Sequence, residues 1–197
     1  MVKFARENGL ITENAQAELT LGGKFAGMEE AISGQADLFN FDENGAFVAD
    51  WKFSNKGGQG DELTIGERIL QASFYLRTYE AKLEKQAIQL EEQVKADPSN
   101  VAAQSELETV QKKLDAIRQK ATIKIARNFE KDGKQYIEML EAEALDANFV
   151  FQQAVNASRG QHMDVAGVFD RVDMSFQTYD AKTHKKVINP NETEETK

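Results

Sequence analysis

The alternation of apolar and polar positions changes period along the chain, and each change predicts an element. Ala36, Leu38 and Phe41 lead into Asp42-Glu43-Asn44-Gly45, after which Ala46-Phe47-Val48-Ala49 runs into Asp50-Trp51-Lys52. Asn-Gly behind acidic residues is hairpin punctuation, so the pattern predicts two antiparallel strands. Side chains alternate across a strand, which puts Asp50 and Lys52 on one face and Trp51 on the other. Asp37, on the partner strand, is then expected beside Asp50. Upstream, Ala17 to Leu21 predicts a first strand, and Val2 to Asn8 a short helix stopped by Gly9.

From about Thr64 the period becomes helical, with Thr64-x-x-Glu67 as a capping box. Gln71 and Tyr75 leave one face of this helix, one turn apart. Leu76, Tyr79, Leu83, Ala87, Leu90 and Val94 continue at spacings of three and four until Asp97-Pro98 interrupts. A second seam follows, from Ala103 through Leu107, Val110, Leu114 and Ile117 to Ala121. Two such seams joined by a short turn predict an antiparallel helical hairpin over 80–121, each arm on the order of 35 to 45 Å long at 1.5 Å per residue. Strand periodicity resumes at Thr122 to Phe129, turns at Asp132-Gly133 and returns over Lys134 to Leu140. Glu141 to Ala157 reads as helical, Val172, Met174 and Phe176 as one more strand, and residues 189–197 as a frayed polar tail. The loop Ser54 to Asp61 lacks the Gly-Lys-Ser/Thr ending of a Walker loop and reads as a connector, with a mobile flap over the site as the alternative. Together these elements predict one domain, 1–197, of α/β (α+β) class, with a mixed central sheet flanked by helices and a helical-hairpin insertion.

A chain of 197 residues is long enough for one substantial core. No apolar run approaches the ~20 residues that span a bilayer, and no charged-then-apolar leader opens the sequence, so a membrane is not an expected partner and the cytoplasm is the expected address. The absence of Cys excludes disulfides and thiolate metal sites. A net charge of −9 counts against a broad phosphate-binding face. It does not count against a divalent-metal site, which is itself built from carboxylates. His162 and His184 read as surface or loop residues. A two-carboxylate glycosidase would leave Lys52, Gln71 and Tyr75 without roles, and an acidic mimic of DNA would explain the charge alone.

The acidic-x-Lys spacing recurs at Glu80-x-Lys82, Asp132-x-Lys134 and Asp180-x-Lys182, in contexts that predict solvated helix faces or turns. Asp50-x-Lys52 differs, because it ends an apolar strand, follows Gly34-x-x-Asp37 and precedes Gln71-x-x-x-Tyr75. In that order the three motifs resemble the PD-(D/E)XK nuclease superfamily, and within it the RecB-like branch. The resemblance implies a restriction-endonuclease-like sheet and Mg²⁺- or Mn²⁺-dependent hydrolysis of DNA, at ends or in single strands. It assigns the metal to Asp37 and Asp50, with Glu18 and the carbonyl of Trp51 as further oxygens. It gives Lys52 the role of orienting water or stabilising charge on the phosphate, and turns Gln71 and Tyr75 toward the site from the following helix. The alternative is a catalytically weak relative that binds DNA or a protein partner, or self-associates, through the helical arm.

Overall fold

A computed structural model describes residues 2–13, 15–24, 27–28, 30–42, 45–53 and 62–190, with the backbone alone for Val2, Asp42, 50–53 and 62–64. The elements run α1 (Val2–Glu7), β1 (Gln16–Gly23), β2 (Ile32–Asp42), β3 (Gly45–Phe53), α2 (Glu62–Ala96), α3 (Val101–Gln119), β4 (Ala121–Lys131), β5 (Lys134–Glu143), α4 (Ala147–Ser158), α5 (Ala166–Phe169), β6 (Met174–Asp180) and β7 (Lys186–Val187). Among the described residues seven strands form one sheet in sequence order. Every neighbouring pair is antiparallel except β3 and β4, which run parallel. A parallel pair needs a crossover connection, and α2 with α3 supplies it. The fold is therefore mixed α/β with a mostly antiparallel sheet.

The predicted hairpin is present as β2 and β3, with Asp42 paired to Gly45; Glu43 and Asn44 fall outside the described residues. Gly45 has φ +135°, and a Cβ there would collide with the carbonyl of Lys120, where the chain returns from α3. Only glycine serves at that junction, which is closed by the Ala46 amide donating to the Lys120 carbonyl at 2.8 Å.

One face of the sheet carries most of the core. Phe39, Phe41, Val48, Ile123, Ile125, Leu140 and Ala142 pack there under Ile69, Leu70, Leu76 and Tyr79 of α2. The opposite face is covered by α1 and the segment after it, with Phe4 and Leu10 fully buried among Leu38, Phe47, Ala49, Ile137 and Tyr179. Asn40 ties that segment down, donating to the Leu10 carbonyl at 3.0 Å and accepting from the Thr12 hydroxyl at 3.0 Å.

The helical hairpin exists, but no structural boundary lies at residue 80. A single helix runs from the Gln71 face to Ala96, and its seam residues Leu83, Ala87 and Leu90 belong to the same buried cluster as the sheet. α3 packs antiparallel on it, as the Arg118–Glu84 ion pair at 3.0 Å and the Gln86–Glu106 hydrogen bond at 2.7 Å show. The inner part of α3 also reaches the sheet: Lys113 lies 5.6 Å from the centre of the Phe41 ring. The second seam stops at Ile117, because Ala121 begins β4 opposite Ala46. The helix is already formed at Glu62, so Thr64 lies within its first turn rather than at its cap. β5 continues to Glu143, and the helix expected from Glu141 begins at Ala147, capped by the Asp146 carboxylate on the amides of Asn148 and Phe149. Asn189 is buried and the Pro190 carbonyl accepts from Lys131, so the chain is still packed where fraying was expected to begin. Residues 191–197 and the Ser54–Asp61 loop lie outside the described residues.

Candidate functional site

The strand registers place the motif residues. β1 pairs Ala17 with Leu38 and Leu19 with Ala36, which leaves Glu18 and Asp37 as the intervening step. β2 pairs Leu38 with Ala49, and one step further along that ladder lie Asp37 and Asp50. Asp50 in turn pairs with Ile125 on β4, and Lys52 with Arg127. Glu18, Asp37 and Asp50 thus fall close to one row across three adjacent strands, next to the paired positions Ala17–Leu38 and Leu38–Ala49. Like charges placed directly opposite one another destabilise a sheet unless something neutralises them. Asp50, Trp51 and Lys52 are placed here by backbone alone.

This row coincides with a change of phase in the sheet. Gly34 and Ala36 lie on the α2 side, Leu38 lies on the α1 side, and Phe39 and Phe41 are again on the α2 side. Regular alternation would keep Ala36 and Leu38 together, so the strand slips by one position around Asp37. Opposite it, Glu18 has φ +52°, a left-handed conformation that is uncommon for a non-glycine residue. Glu18 is exposed and Asp37 half-buried. Backbone irregularities of this kind cluster where a strand must re-aim a side chain.

From the other direction α2 brings Gln71 and Tyr75. The Gln71 amide donates to the Tyr75 hydroxyl at 2.8 Å, so the two behave as one polar unit. Tyr75 is buried against Gly34, where any Cβ would collide with its hydroxyl. The first glycine of Gly34-x-x-Asp37 is therefore where the aromatic ring of Gln71-x-x-x-Tyr75 lands. One turn further along, Tyr79 packs on Phe39 and Phe41, with ring centres 5.1 and 5.6 Å away, and donates to Gln16 at 3.2 Å.

Two charged residues not singled out from the sequence lie beside this row. Arg127, the register partner of Lys52, donates through Nε to Glu138 Oε2 at 2.7 Å. Both are buried, Glu138 to 2% exposure. Glu138 Oε1 has no hydrogen-bond partner among the described residues. Strand alternation would have found them, since Arg127 and Glu138 fall on the faces of Ile125 and Leu140, where apolar residues belong. Arg68 of α2 lines the small crevice above this pair, together with Ile65, Ile125 and Leu140.

Arg68 also borders a larger cleft of about 450 Å³ between α2, α4 and the start of β2. Its walls are Leu70 and Phe74 of α2 with Val150 and Ala154 of α4, and Gln71 and Tyr75 form the side nearest the sheet. The shift of phase in β2 and the cleft are invisible to motif spacing, because both arise from packing between distant segments.

His184 and His162 are remote from the row: His184 Nδ1 lies 2.6 Å from Glu7 of α1, and His162 is exposed. Among the described residues, no group of three His, Asp or Glu side chains could hold a metal ion, a description that does not include the Asp50 side chain. Among them, too, no helix is long and apolar enough to cross a membrane. No family model, curated protein or solved structure matches the chain significantly.

Proposed function

We propose that this chain is a Mg²⁺- or Mn²⁺-dependent deoxyribonuclease of the PD-(D/E)XK type, RecB-like, with a restriction-endonuclease-like core, acting on DNA ends or single strands in recombination, repair or phage replication. The observation that carries the reading is the row of Glu18, Asp37 and Asp50 across β1, β2 and β3, with Lys52 two residues on and the Gln71–Tyr75 unit seated against Gly34.

Three carboxylates at neighbouring positions of a sheet are a donor set for a hard divalent ion. Asp37 and Asp50 hold the ion, with Glu18 and the Trp51 carbonyl as additional oxygens. When bound, such an ion lowers the pKa of a coordinated water and polarises the phosphate. Lys52 has three N–H donors and no lone pair, so it takes no part in ligation. Its role is to orient the attacking water and to meet the charge that develops on the phosphate. The Gln71 amide, held by Tyr75, retains an acceptor and a second N–H to position the strand being cut.

The test is incubation of the protein with linear and circular DNA, single- and double-stranded, with Mg²⁺, Mn²⁺ or EDTA. Cleavage with either metal and none with EDTA is expected. Absence of cleavage on every substrate would favour the second reading, a catalytically weak relative that assembles through its helical arm. That reading draws on the arm itself, where Ile88 and Val101 are 59% and 73% exposed, and on the net charge of −9.

A further inference from the structure

We propose that the cleft between α2 and α4 takes one unpaired nucleobase of the strand held at the carboxylate row; this rests on the nuclease reading and adds a binding pocket to it. The cleft is closed on two sides by apolar helix faces, Leu70 and Phe74 on α2 and Val150 and Ala154 on α4, with Met163 as a half-exposed lip. Such walls accept the faces of a flat, weakly polar ring and reject an ion. Its polar groups are the Gln71 amide, the Tyr75 hydroxyl and Ser33, with the charged Glu67 and Arg68 also in its lining. A primary amide offers both a donor and an acceptor, which matches the mixed edge that every base presents. Its volume of about 450 Å³ lies within the range of small-ligand pockets and suits a single nucleotide. A base still paired in a duplex cannot enter it.

Position supports the same occupant. The polar side of the cleft is the Gln71–Tyr75 unit, and Tyr75 lies against Gly34, three residues from Asp37. A strand whose phosphate rests at the carboxylate row therefore passes close to this opening, three strand residues spanning about 10 Å. Arg68 stands between the cleft and the crevice above Ile125, the residue paired with Asp50, and so borders the path from base to phosphate. The chain's charge makes a further demand. A net charge of −9 disfavours a broad phosphate-binding face, and burial of bases is expected to carry a larger share of the affinity. Binding of single strands is thus expected to depend only weakly on salt.

The experiment uses the full chain and a short single strand carrying 2-aminopurine, with Ca²⁺ in place of Mg²⁺, so that binding is read without cleavage. Fluorescence is expected to change on binding of the single strand and not of the matching blunt duplex. Ala154→Leu with Ala157→Leu, which fill the cleft from α4, should weaken binding at least about tenfold while the thermal midpoint stays near that of the wild type. Met163→Ala, which removes the lip without touching the core, should weaken it by a smaller factor and serves if the filled variant fails to fold. Wild-type affinity in Met163→Ala and in a folded filled variant overturns the proposal, as does absence of any fluorescence change. Cleavage with Mg²⁺ separates the two readings. If the wild type cleaves, and the filled variant cleaves with unchanged KM, the pocket is wrong and the nuclease stands. If nothing is cleaved, yet the base signal and its loss on filling persist, the nuclease is wrong and the pocket stands.

Discussion

The sheet carries charge in two neighbouring places, and it handles them in opposite ways. On β4 and β5, Arg127 and Glu138 face each other as a pair of opposite sign, buried and hydrogen-bonded. On β1, β2 and β3, Glu18, Asp37 and Asp50 stand in a row of one sign, on a backbone that departs from regular alternation at that point. The first arrangement neutralises its own charge, although Glu138 Oε1 has no hydrogen-bond partner among the described residues. The second gathers residues of one sign at neighbouring strand positions, beside the left-handed backbone of Glu18. A buried pair of opposite sign serves the fold, whereas acidic residues gathered on neighbouring strands are where the proposed cation would be held.

The contrast breaks most visibly at the neutral pair. Glu138→Ala leaves a buried guanidinium without its partner, and should cost about 3 to 5 kcal/mol in urea denaturation. Arg127→Met with Glu138→Leu removes both charges and should restore most of that loss, which a double-mutant cycle measures directly. If the double variant is as unstable as the single one, the pair does more than neutralise itself.

At the row of one sign, the expected effects fall on activity rather than on folding. Lys52→Ala should slow DNA cleavage by roughly 10² to 10³ while leaving Mn²⁺ bound, since an ammonium cannot be a ligand. Calorimetric titration of Mn²⁺ beside a nuclease assay reads both. Cleavage by Lys52→Ala at the wild-type rate would remove Lys52 from the site.

A smaller effect tests the demand for a cation itself. Mn²⁺ at a hundredfold excess over its dissociation constant should raise wild-type stability by about 2.7 kcal/mol. In Asp37→Asn or Asp50→Asn that gain should largely disappear, because one hard oxygen donor and one repelling charge are both gone. A full Mn²⁺ response in either variant would show that the row is not where the ion binds.

The smallest effects belong to carboxylates outside the row. The Glu7 carboxyl is held below its ordinary range, chiefly by the hydrogen bond from His184. Asp180 is lowered by the Thr183 amide and hydroxyl, and Asp97 by the Ser99 hydroxyl and amide. A carboxylate whose folded pKa is depressed adds stability above its unfolded pKa, and that stability is lost as pH falls through the folded value. These exposed contacts should therefore support the fold slightly at neutral pH and fade in the acid range below pH 4. His184→Ala should shift the urea midpoint slightly at pH 7, with the difference closing at acid pH.

How much of this was legible in the sequence depends on the range of the interactions. The β2–β3 hairpin, the helical run from Gln71 and the return over β4 and β5 follow from local periodicity and turn residues. The independence of the arm was not legible. Leu83 and Leu114 have the spacing of a self-contained seam, yet they join the sheet core through Tyr79, Phe41 and Lys113, contacts between segments far apart in sequence. The cleft beside Gln71 and the slip of phase near Asp37 were hidden for the same reason. Arg127 and Glu138 were within reach, as charges on apolar faces, but only once the strands carrying them had been phased.

The single run of α2, 35 residues from Glu62 to Ala96, has a mechanical meaning. Tyr75 is clamped on Gly34, and the helix continues about 30 Å beyond it at 1.5 Å per residue. Leu83, Ala87 and Leu90 keep that extension in the common core, so the arm and the ring against Gly34 belong to one stiff part.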